Sequence, residues 1–313
     1  MAEPMVLAAL LVDAAIGWPA PLYARLGHPV GGFARVIGWC ARGWNRQHWS
    51  AARRRAMGTL TVLVLLVLAI GGGWLLQALA GWLLGPWAWA AVALLAWPGL
   101  ALRSLHDHLR PVQRALARGD LPAARRAVGM IVGRDTATLD SAGVARAAIE
   151  SLAESFCDGV AAPLFWLVVG GLPGLWAYKA INTADSLIGH REAPWGPFGW
   201  AAARLDDGMN LVPARLGAVL LCLAGGGGWA VLWRDHGRHA SPNAGWTEAA
   251  MAGALGLRLA GPVAYDGVVH DKAWIGGGGA EADAGDVQRA LTLYRRACVL
   301  LMAGAAALWA WKG

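Results

Sequence analysis

The chain has 313 residues, of which 57% are hydrophobic and only 15% charged, with 19 Trp and 43 Gly. Its mean hydropathy is +0.43. These values lie outside the range of ordinary soluble domains and point to a membrane protein. The formal net charge of +7 comes without the interleaved aromatic and basic residues of a nucleic-acid module, so no nucleic-acid partner is expected.

A hydrocarbon core of about 30 Å takes roughly 20 helical residues to cross. In chain order, the apolar segments predicted from the sequence are 5–18, 59–80, 85–102, 160–181, 211–233 and 297–311. The first is short, holds Asp13, lacks a basic leader and ends at Trp18-Pro19 without a small-residue cleavage pattern, so it reads as a retained segment. Gly85-Pro86 reads as the turn of a helical hairpin. Arg35, Arg42, Arg46, Arg53, Arg54 and Arg55 precede the hairpin, Arg103, Arg110, Arg114, Arg118, Arg125 and Arg126 follow it, and its tip is uncharged. The positive-inside tendency puts both arginine-rich segments in the cytoplasm. Contact with lipid headgroups explains the same arginines.

Between 103 and 158 the pattern is that of polar-faced helices. Asp120 with Pro122 is a helix-start signal. Leu139, Val144, Ala148, Leu152 and Phe156 form an apolar helical stripe. Glycines and prolines interrupt 160–181 at Gly170, Gly171, Pro173 and Gly174, and four glycines interrupt 211–233. Such segments are expected to be broken or re-entrant helices, tolerable where buried in protein or lining a cavity. The expected fold is an all-α, polytopic integral membrane helical bundle, a single domain with helical cytoplasmic loops.

Several polar constellations sit beside these segments. Glu150, Glu154 and Asp158 recur every four residues and share one helix face, which suits Mg²⁺ or an ammonium group and equally a solvated surface. Asn182 and Asp185 are three apart, either a site or a polar helix cap. In "ARLDDGMNLVPARL", Asp206, Asp207 and Asn210 offer hard oxygens of the kind Mg²⁺ uses beside phosphate. Arg204 and Arg215 there offer guanidinium forks for phosphate or carboxylate, or simple pairing with the aspartates. Arg134 and Asp135 lie in a loop, and Ser241-Pro242-Asn243 is a turn that can cap a helix starting near Trp246, with Glu248 in its first turn. His28 stands in a turn, functional or structural; His106 and His108 fall on different helix faces and make no metal site. Cys40, Cys157, Cys222 and Cys298 are too scattered for a zinc cluster or a disulfide framework and read as buried thiols. The glycine tracts at 71–73, 225–228 and 276–279 are not phosphate loops, since no Lys-Ser/Thr follows them.

The blocks "HPVGGFARVIG", "VGRDTATLD", "IESLAESFCDGVAAPLFW", "NTADSLIGH", "ARLDDGMNLVPARL" and "SPNAGWTEAAMAGALGLRLAGPVAYDG", in that order between Asp13 and Gly267, resemble the cobalamin-biosynthesis family CobD/CbiB, the adenosylcobinamide-phosphate synthases. The resemblance implies an inner-membrane ligase, its site facing the cytoplasm. It would join (R)-1-aminopropan-2-ol or its phosphate to the propionate carboxylate of adenosylcobyric acid. Its partners would be this corrinoid, the amino alcohol, the lipid bilayer and other cobalamin-assembly enzymes. Amide formation in water requires an activated acid, for which ATP with Mg²⁺ is the usual means. On that reading Asn182, Asp185, Asp206, Asp207 and Asn210 hold Mg²⁺. Arg134, Asp135, Arg204, Arg215, Asn243, Glu248 and His28 bind substrate or phosphate. Glu150, Glu154 and Asp158 supply catalytic carboxylates, Glu150 or Glu154 taking the amine proton. Trp166, Trp176, Trp195 and Trp200 would line a corrin cavity. Gly17-Trp18-Pro19 departs from the family's Gly-Asp-Pro, and Ser155 stands where an asparagine is expected. Two other classes share parts of this pattern: AmpE-like non-catalytic signalling proteins and Mg²⁺-dependent membrane prenyltransferases.

Overall fold

A computed structural model of the chain describes residues 3–265, 268–278 and 281–312; Asp266 and Gly267 of the last sequence block, and Gly279 of the third glycine tract, lie outside them. Helices α1 (Glu3–Ile16), α2 (Ala20–Leu26) and α3 (Pro29–Trp44) come first, with a bend of 104° between α1 and the α2–α3 stretch. Then come α4 (Ala51–Leu84), α5 (Ala88–Ala96), α6 (Leu102–Ala117), α7 (Leu121–Gly129) and α8 (Ser141–Phe156). A π-helical turn, Cys157–Ala161, leads into α9 (Ala162–Ile188), followed by α10 (Gly196–Gly225), α11 (Trp229–Asp235) and α12 (Ala244–Leu255). Four three-residue strands, β1 (Arg258–Ala260), β2 (Val263–Tyr265), β3 (Val268–His270) and β4 (Trp274–Gly276), precede α13 (Ala284–Lys312). Strand β1 pairs antiparallel with β4 and β2 with β3. The fold is the expected helical membrane bundle; the small strand pairs are an addition that the sequence pattern did not indicate.

Four helical stretches, Ala51–Ala117, Ser141–Ile188, Gly196–Gly225 and Ala284–Trp311, are long and apolar enough to cross a membrane, and the bent α1 to α3 pair makes a fifth if counted as one span. The α4 helix alone extends about 50 Å at 1.5 Å per residue. Its side chains meet the surroundings without polar cover, Val67 being 72% and Trp82 81% exposed, as expected of a face that contacts lipid. The hairpin turn falls where expected, with Gly85 at φ +52° and a 3₁₀ turn over Gly85–Trp87. The returning apolar segment is shorter than predicted, because Trp97–Gly99 forms a second 3₁₀ turn and only Ala88–Ala96 is α-helical.

The residues divide into two compact units, each assembled from separated stretches. The first comprises Met1–Ala101, Ala162–Asn210 and Ala305–Gly313; the second comprises Leu102–Ala161 and Leu211–Gly304.

Within the first unit, α9 is broken at Gly171, whose φ of +61° is outside the helical region. The break is fixed from outside: Gln77 Oε1 on α4 accepts the Leu172 N–H at 2.9 Å. A Cβ on Gly174 would lie 2.4 Å from the Trp166 carbonyl oxygen. A continuous helix would have carried residue 174 about 12 Å along the axis from 166, so the chain bends back sharply, as a re-entrant segment must. Close packing of α4 on this bend requires Gly73, whose Cβ would fall 2.8 Å from the Pro173 nitrogen. An apolar cavity of about 850 Å³ lies beside the bend, lined among others by Trp74, Gln77, Trp89 and Gly171.

Within the second unit, Val144, Ala148, Leu152 and Phe156 are buried along one face of α8 as the stripe predicts, whereas Leu139 precedes the helix. Phe156 packs edge-on against Tyr294 at 5.8 Å, and the Tyr294 hydroxyl donates to the Leu102 carbonyl at 2.8 Å. Asp120 caps α7 as expected, accepting from Ala123 N at 2.9 Å. The four-glycine tract ends α10 and turns into α11, with Gly226 at φ +66° and Gly228 at +97°. Gly228 and Gly253 meet backbone to backbone, where either Cβ would approach within 2.7 Å, so small residues here serve close packing.

Candidate functional site

Helix α8 starts at a cap that fixes its register, Asp140 Oδ1 accepting from Gly143 N at 2.7 Å. That register turns Glu150 inward, leaving it only 4% exposed. An isolated buried carboxylate is costly, and Glu150 is accordingly surrounded by donors. Arg134 Nη2 reaches its Oε2 at 2.5 Å, the Ala260 N–H donates to Oε1 at 2.7 Å, and Arg146 Nε stands 3.8 Å from Oε1. Ala260 takes φ +59°, a conformation rare outside glycine. Its N–H is thereby committed to Glu150 at the end of β1.

Helix α12 brings in a second inward carboxylate. Ser241 Oγ accepts from the backbone N–H of Asn243 and Ala244 at 3.2 and 3.3 Å, so α12 begins at Ala244 and Glu248 falls in its second turn, not the first. Glu248 is 4% exposed; its Oε1 is 3.7 Å from His239 Nε2, and among the described residues its Oε2 has no hydrogen-bond partner. The His239 Nδ1 accepts from Ser241 N at 3.0 Å, which puts the proton of a neutral imidazole on Nε2, facing Glu248. Burial pushes the Glu248 carboxyl well above the usual carboxylate range, with Glu150 and Glu154 adding to the effect. Burial also lowers the His239 pKa, with Lys272 contributing.

These side chains enclose a cavity of about 230 Å³, lined by Arg134, Glu150, Ser151, Glu154, His239, Glu248, Ala260 and Lys272 together with Ile131 to Gly133. Glu154, one turn beyond Glu150, is accessible from it. Of the residues proposed from sequence, the cavity gathers Arg134, Glu150, Glu154 and Glu248. Asp158 is not among its lining. Asp158 falls in the π-helical turn Cys157–Ala161 and interacts electrostatically with Glu154. Sequence reasoning missed His239 and Lys272. Lys272 is one of only three lysines in the chain, a rarity that could have flagged it; nothing distinguishes His239 from the other histidines.

Other expected site residues lie elsewhere. Asp135 accepts from Ala137 N at 2.9 Å and shapes its own turn. Also in the second unit, Arg215 Nη1 donates to Leu211 O at 2.6 Å and to Asn243 Oδ1 at 3.3 Å, with its guanidinium over the Trp246 ring at 4.5 Å.

Asp206 and Asn210 are buried in the first unit, at 8% and 2% exposure. Asn210 Nδ2 donates to one Asp206 oxygen at 3.0 Å, Asn182 Nδ2 to the other at 3.4 Å, and the Tyr178 hydroxyl to Asn210 Oδ1 at 3.0 Å. Lys179 Nζ approaches Asn182 Oδ1 at 3.4 Å. The expected Mg²⁺ ligands thus meet as an amide–carboxylate network in which amide nitrogens, which cannot bind a cation, face the carboxylate. Asp207 instead faces the exposed Arg204 at 3.8 Å. Asp185 sits against Gly189, where a Cβ would lie on its Oδ1. Among the described residues no group of three or more His, Cys, Asp or Glu has metal-holding geometry.

His28 caps α3, Nδ1 accepting from Val30 N at 3.3 Å, and packs edge-on against Trp18 at 5.1 Å, which is the structural role. Trp166 donates to Met209 O at 3.1 Å, and Trp176 packs against Phe33 at 6.2 Å. The four cysteines are buried thiols.

Fold and site together define a polytopic helical membrane protein with a small, charged, internal cavity. A family model described as CobD/Cbib protein matches residues 6–294, and the chain belongs to that family. It is 49% identical over 314 residues to the Cobalamin biosynthesis protein CobD of Rhodobacter capsulatus, covering 97% of this chain and 98% of that one. Against the protein of the same name from Sinorhizobium sp the identity is 47% over 304 residues, 94% of each chain. Against that of Brucella anthropi it is 43% over 298 residues, 91% of this chain and 90% of that one. No solved structure matches. A role in cobalamin biosynthesis goes with this membership.

Proposed function

We propose that the chain is the amide-forming ligase of corrinoid assembly, an adenosylcobinamide-phosphate synthase. It would join (R)-1-aminopropan-2-ol or its phosphate to the propionate carboxylate of adenosylcobyric acid. The observation that supports this reading is the cavity, in which Arg134 and Lys272 stand with Glu150, Glu154 and Glu248. At about 230 Å³ it lies below the roughly 300–1,000 Å³ of sites that enclose drug-sized ligands. A corrin or a nucleotide does not fit inside it, whereas a short amino alcohol phosphate does.

Attack by the amine requires its free base, and Glu154, accessible in the cavity, is placed to accept the ammonium proton. Glu150 holds the Arg134 guanidinium in place, leaving its other N–H donors for an anionic oxygen. ATP belongs to the proposal as the cosubstrate that activates the carboxylate. Mg²⁺ belongs to the proposal with the nucleotide, the oxygens of Asn182, Asp206 and Asn210 being the candidates to hold it. The arginine-bearing segments favour a cytoplasmic face of the inner membrane for the reaction.

The test is to incubate detergent-purified protein with adenosylcobyric acid, aminopropanol phosphate and ATP-Mg²⁺, omitting each in turn. The expected result is adenosylcobinamide phosphate formed only in the complete mixture. Failure of the purified protein to form it, together with failure to rescue a strain blocked in cobinamide synthesis, would overturn the reading.

A further inference from the structure

The corner between α3 and α4 combines two features that the ligase reading leaves unused, a surplus of arginine and a cluster of tryptophan. No acid stands between Asp13 and Asp107, a stretch that holds eight arginines. The buried Arg54 fixes the corner. Its Nε donates to Asn45 Oδ1 at 2.9 Å and its Nη2 to the Pro194 carbonyl, and Asn45 Nδ2 donates to the same carbonyl at 3.1 Å. Gly58 lies against the Phe198 carbonyl, where a Cβ has no room. The first turns of α4 are thus clamped to α10 and the loop before it, all within the first unit. On a helix, residues 53 and 55 fall about 100° to either side of residue 54. The inward Arg54 therefore turns Arg53 and Arg55 to the flanks of α4, where both are exposed. Each guanidinium is held on an indole, Arg53 at 3.7 Å from the Trp49 ring centroid and Arg55 at 5.0 Å from that of Trp200. Among the described residues neither forms an ion pair, whereas Arg103 pairs with Asp107 at 2.7 Å.

A guanidinium stacked on an indole keeps its N–H edge free and has less rotamer freedom to lose, which suits its planar fork to phosphate oxygens. The exposed apolar run of α4 begins at Leu60 and Leu63, 38% and 52% exposed. Leu60 follows Arg55 by five residues, about 7.5 Å of helix. The headgroup layer adds about 5–8 Å to each side of the hydrocarbon core. With the apolar run in that core, Arg53 and Arg55 stand at the depth of the lipid phosphates, where tryptophan is also favoured.

We propose that this corner is a binding site for the headgroup of an anionic phospholipid: Arg53 and Arg55, held on Trp49 and Trp200, take its phosphate oxygens. This differs from the diffuse attraction of any arginine-rich segment to an acidic leaflet, because the clamp and the two stacks fix these guanidiniums in place. A zwitterionic lipid carries the same phosphate with a compensating cation, so the site selects for net negative charge. Between Gly189 and Trp195 the one acid is Glu192, beside Arg191, which leaves the balance of the corner positive. The inference is independent of the ligase reading.

The full chain is placed in nanodiscs of equal parts phosphatidylglycerol and phosphatidylcholine, and native mass spectrometry reads the ratio of the two lipids that it retains on release. The wild type is expected to retain phosphatidylglycerol in excess by roughly tenfold or more, the scale of two arginines at an acidic surface. Arg53→Gln combined with Arg55→Gln is expected to abolish that excess. Arg53→Lys combined with Arg55→Lys keeps both charges but loses the planar fork, and its ratio should fall between the other two. An equal ratio in the wild type would overturn the proposal, and that measurement needs no variant to fold. A wild-type ratio in the lysine pair would reduce the corner to diffuse attraction and overturn it as well, as would an undiminished excess in the glutamine pair. Loss of the excess when pyrophosphate is added at constant ionic strength would assign the guanidiniums to a soluble phosphate and overturn the lipid assignment.

Discussion

The two compact units treat their buried polar residues in opposite ways. In the first, Asp206, Asn182, Asn210 and Tyr178 hydrogen-bond to one another, and the cavity of about 850 Å³ lies among mostly apolar side chains and glycines. In the second, the cavity is smaller, about 230 Å³, and is lined by charged residues of both signs, among them Glu248, whose buried Oε2 has no hydrogen-bond partner among the described residues. A satisfied network stiffens a fold, whereas an unsatisfied buried oxygen is a cost that folding alone does not repay. The difference teaches where a ligand is to be sought: in the second unit, at groups whose hydrogen bonding the protein leaves incomplete.

The largest expected effect comes from breaking the buried pair that frames the charged cavity. Arg134→Ala removes the nearest cation from the buried Glu150, leaving it the Ala260 N–H and the more distant Arg146, and removal of one partner of a buried pair costs about 3–5 kcal/mol. Denaturant unfolding should show a loss on that scale, and ligation should fall by roughly a hundredfold or more. Asp206→Ala in the first unit removes the carboxylate that accepts from the Asn182 and Asn210 amides and is expected to lower stability by about 1–3 kcal/mol. A loss as large as that of Arg134→Ala would erase the contrast between the units.

Asp235 supplies a test against pH. It is buried, and the Arg234 guanidinium, the Gly276 N–H and Arg238 hold its carboxyl below the usual range. A depressed folded pKa contributes stability above the unfolded value of about 3.9, and that contribution is lost as pH falls through the folded value. Acid unfolding of Asp235→Asn should therefore depend less steeply on pH below about 4 than that of the wild type. The smallest effect is expected from Arg204→Ala, whose exposed pairing with Asp207 at 3.8 Å is worth about 0.2–1 kcal/mol. A large drop in ligation without loss of stability in that variant would move the phosphate site to the first unit.

Much of the fold could be read from the residues. The uncharged run of α4, the Gly85 turn, the Asp120 cap and the buried stripe of α8 follow from hydropathy, turn chemistry and helical period, which are local properties. The break at Gly171 was legible as glycine and proline content, but its fixing by Gln77 joins residues 95 apart. The site was legible only in pieces. Glu150 and Glu154 stand out by spacing; Asp158, which the same rule adds, falls in a π-helical turn and does not line the cavity. His239, Lys272 and the Ala260 N–H carry no local signature of a site.

The sequence by itself therefore determined that the chain is a helical membrane protein, where its apolar segments and some of its helix caps and turns fall, and which residue types could carry charge into an apolar setting. Each of these depends on neighbours a few residues apart. Only the tertiary structure decided which charges meet. The Ala260 N–H reaches Glu150 across 110 positions, and among the described residues nothing hydrogen-bonds to Glu248 Oε2. Whether a buried polar atom is satisfied depends on what the fold brings within about 3 Å of it, and nothing in the order of residues along the chain fixes that distance.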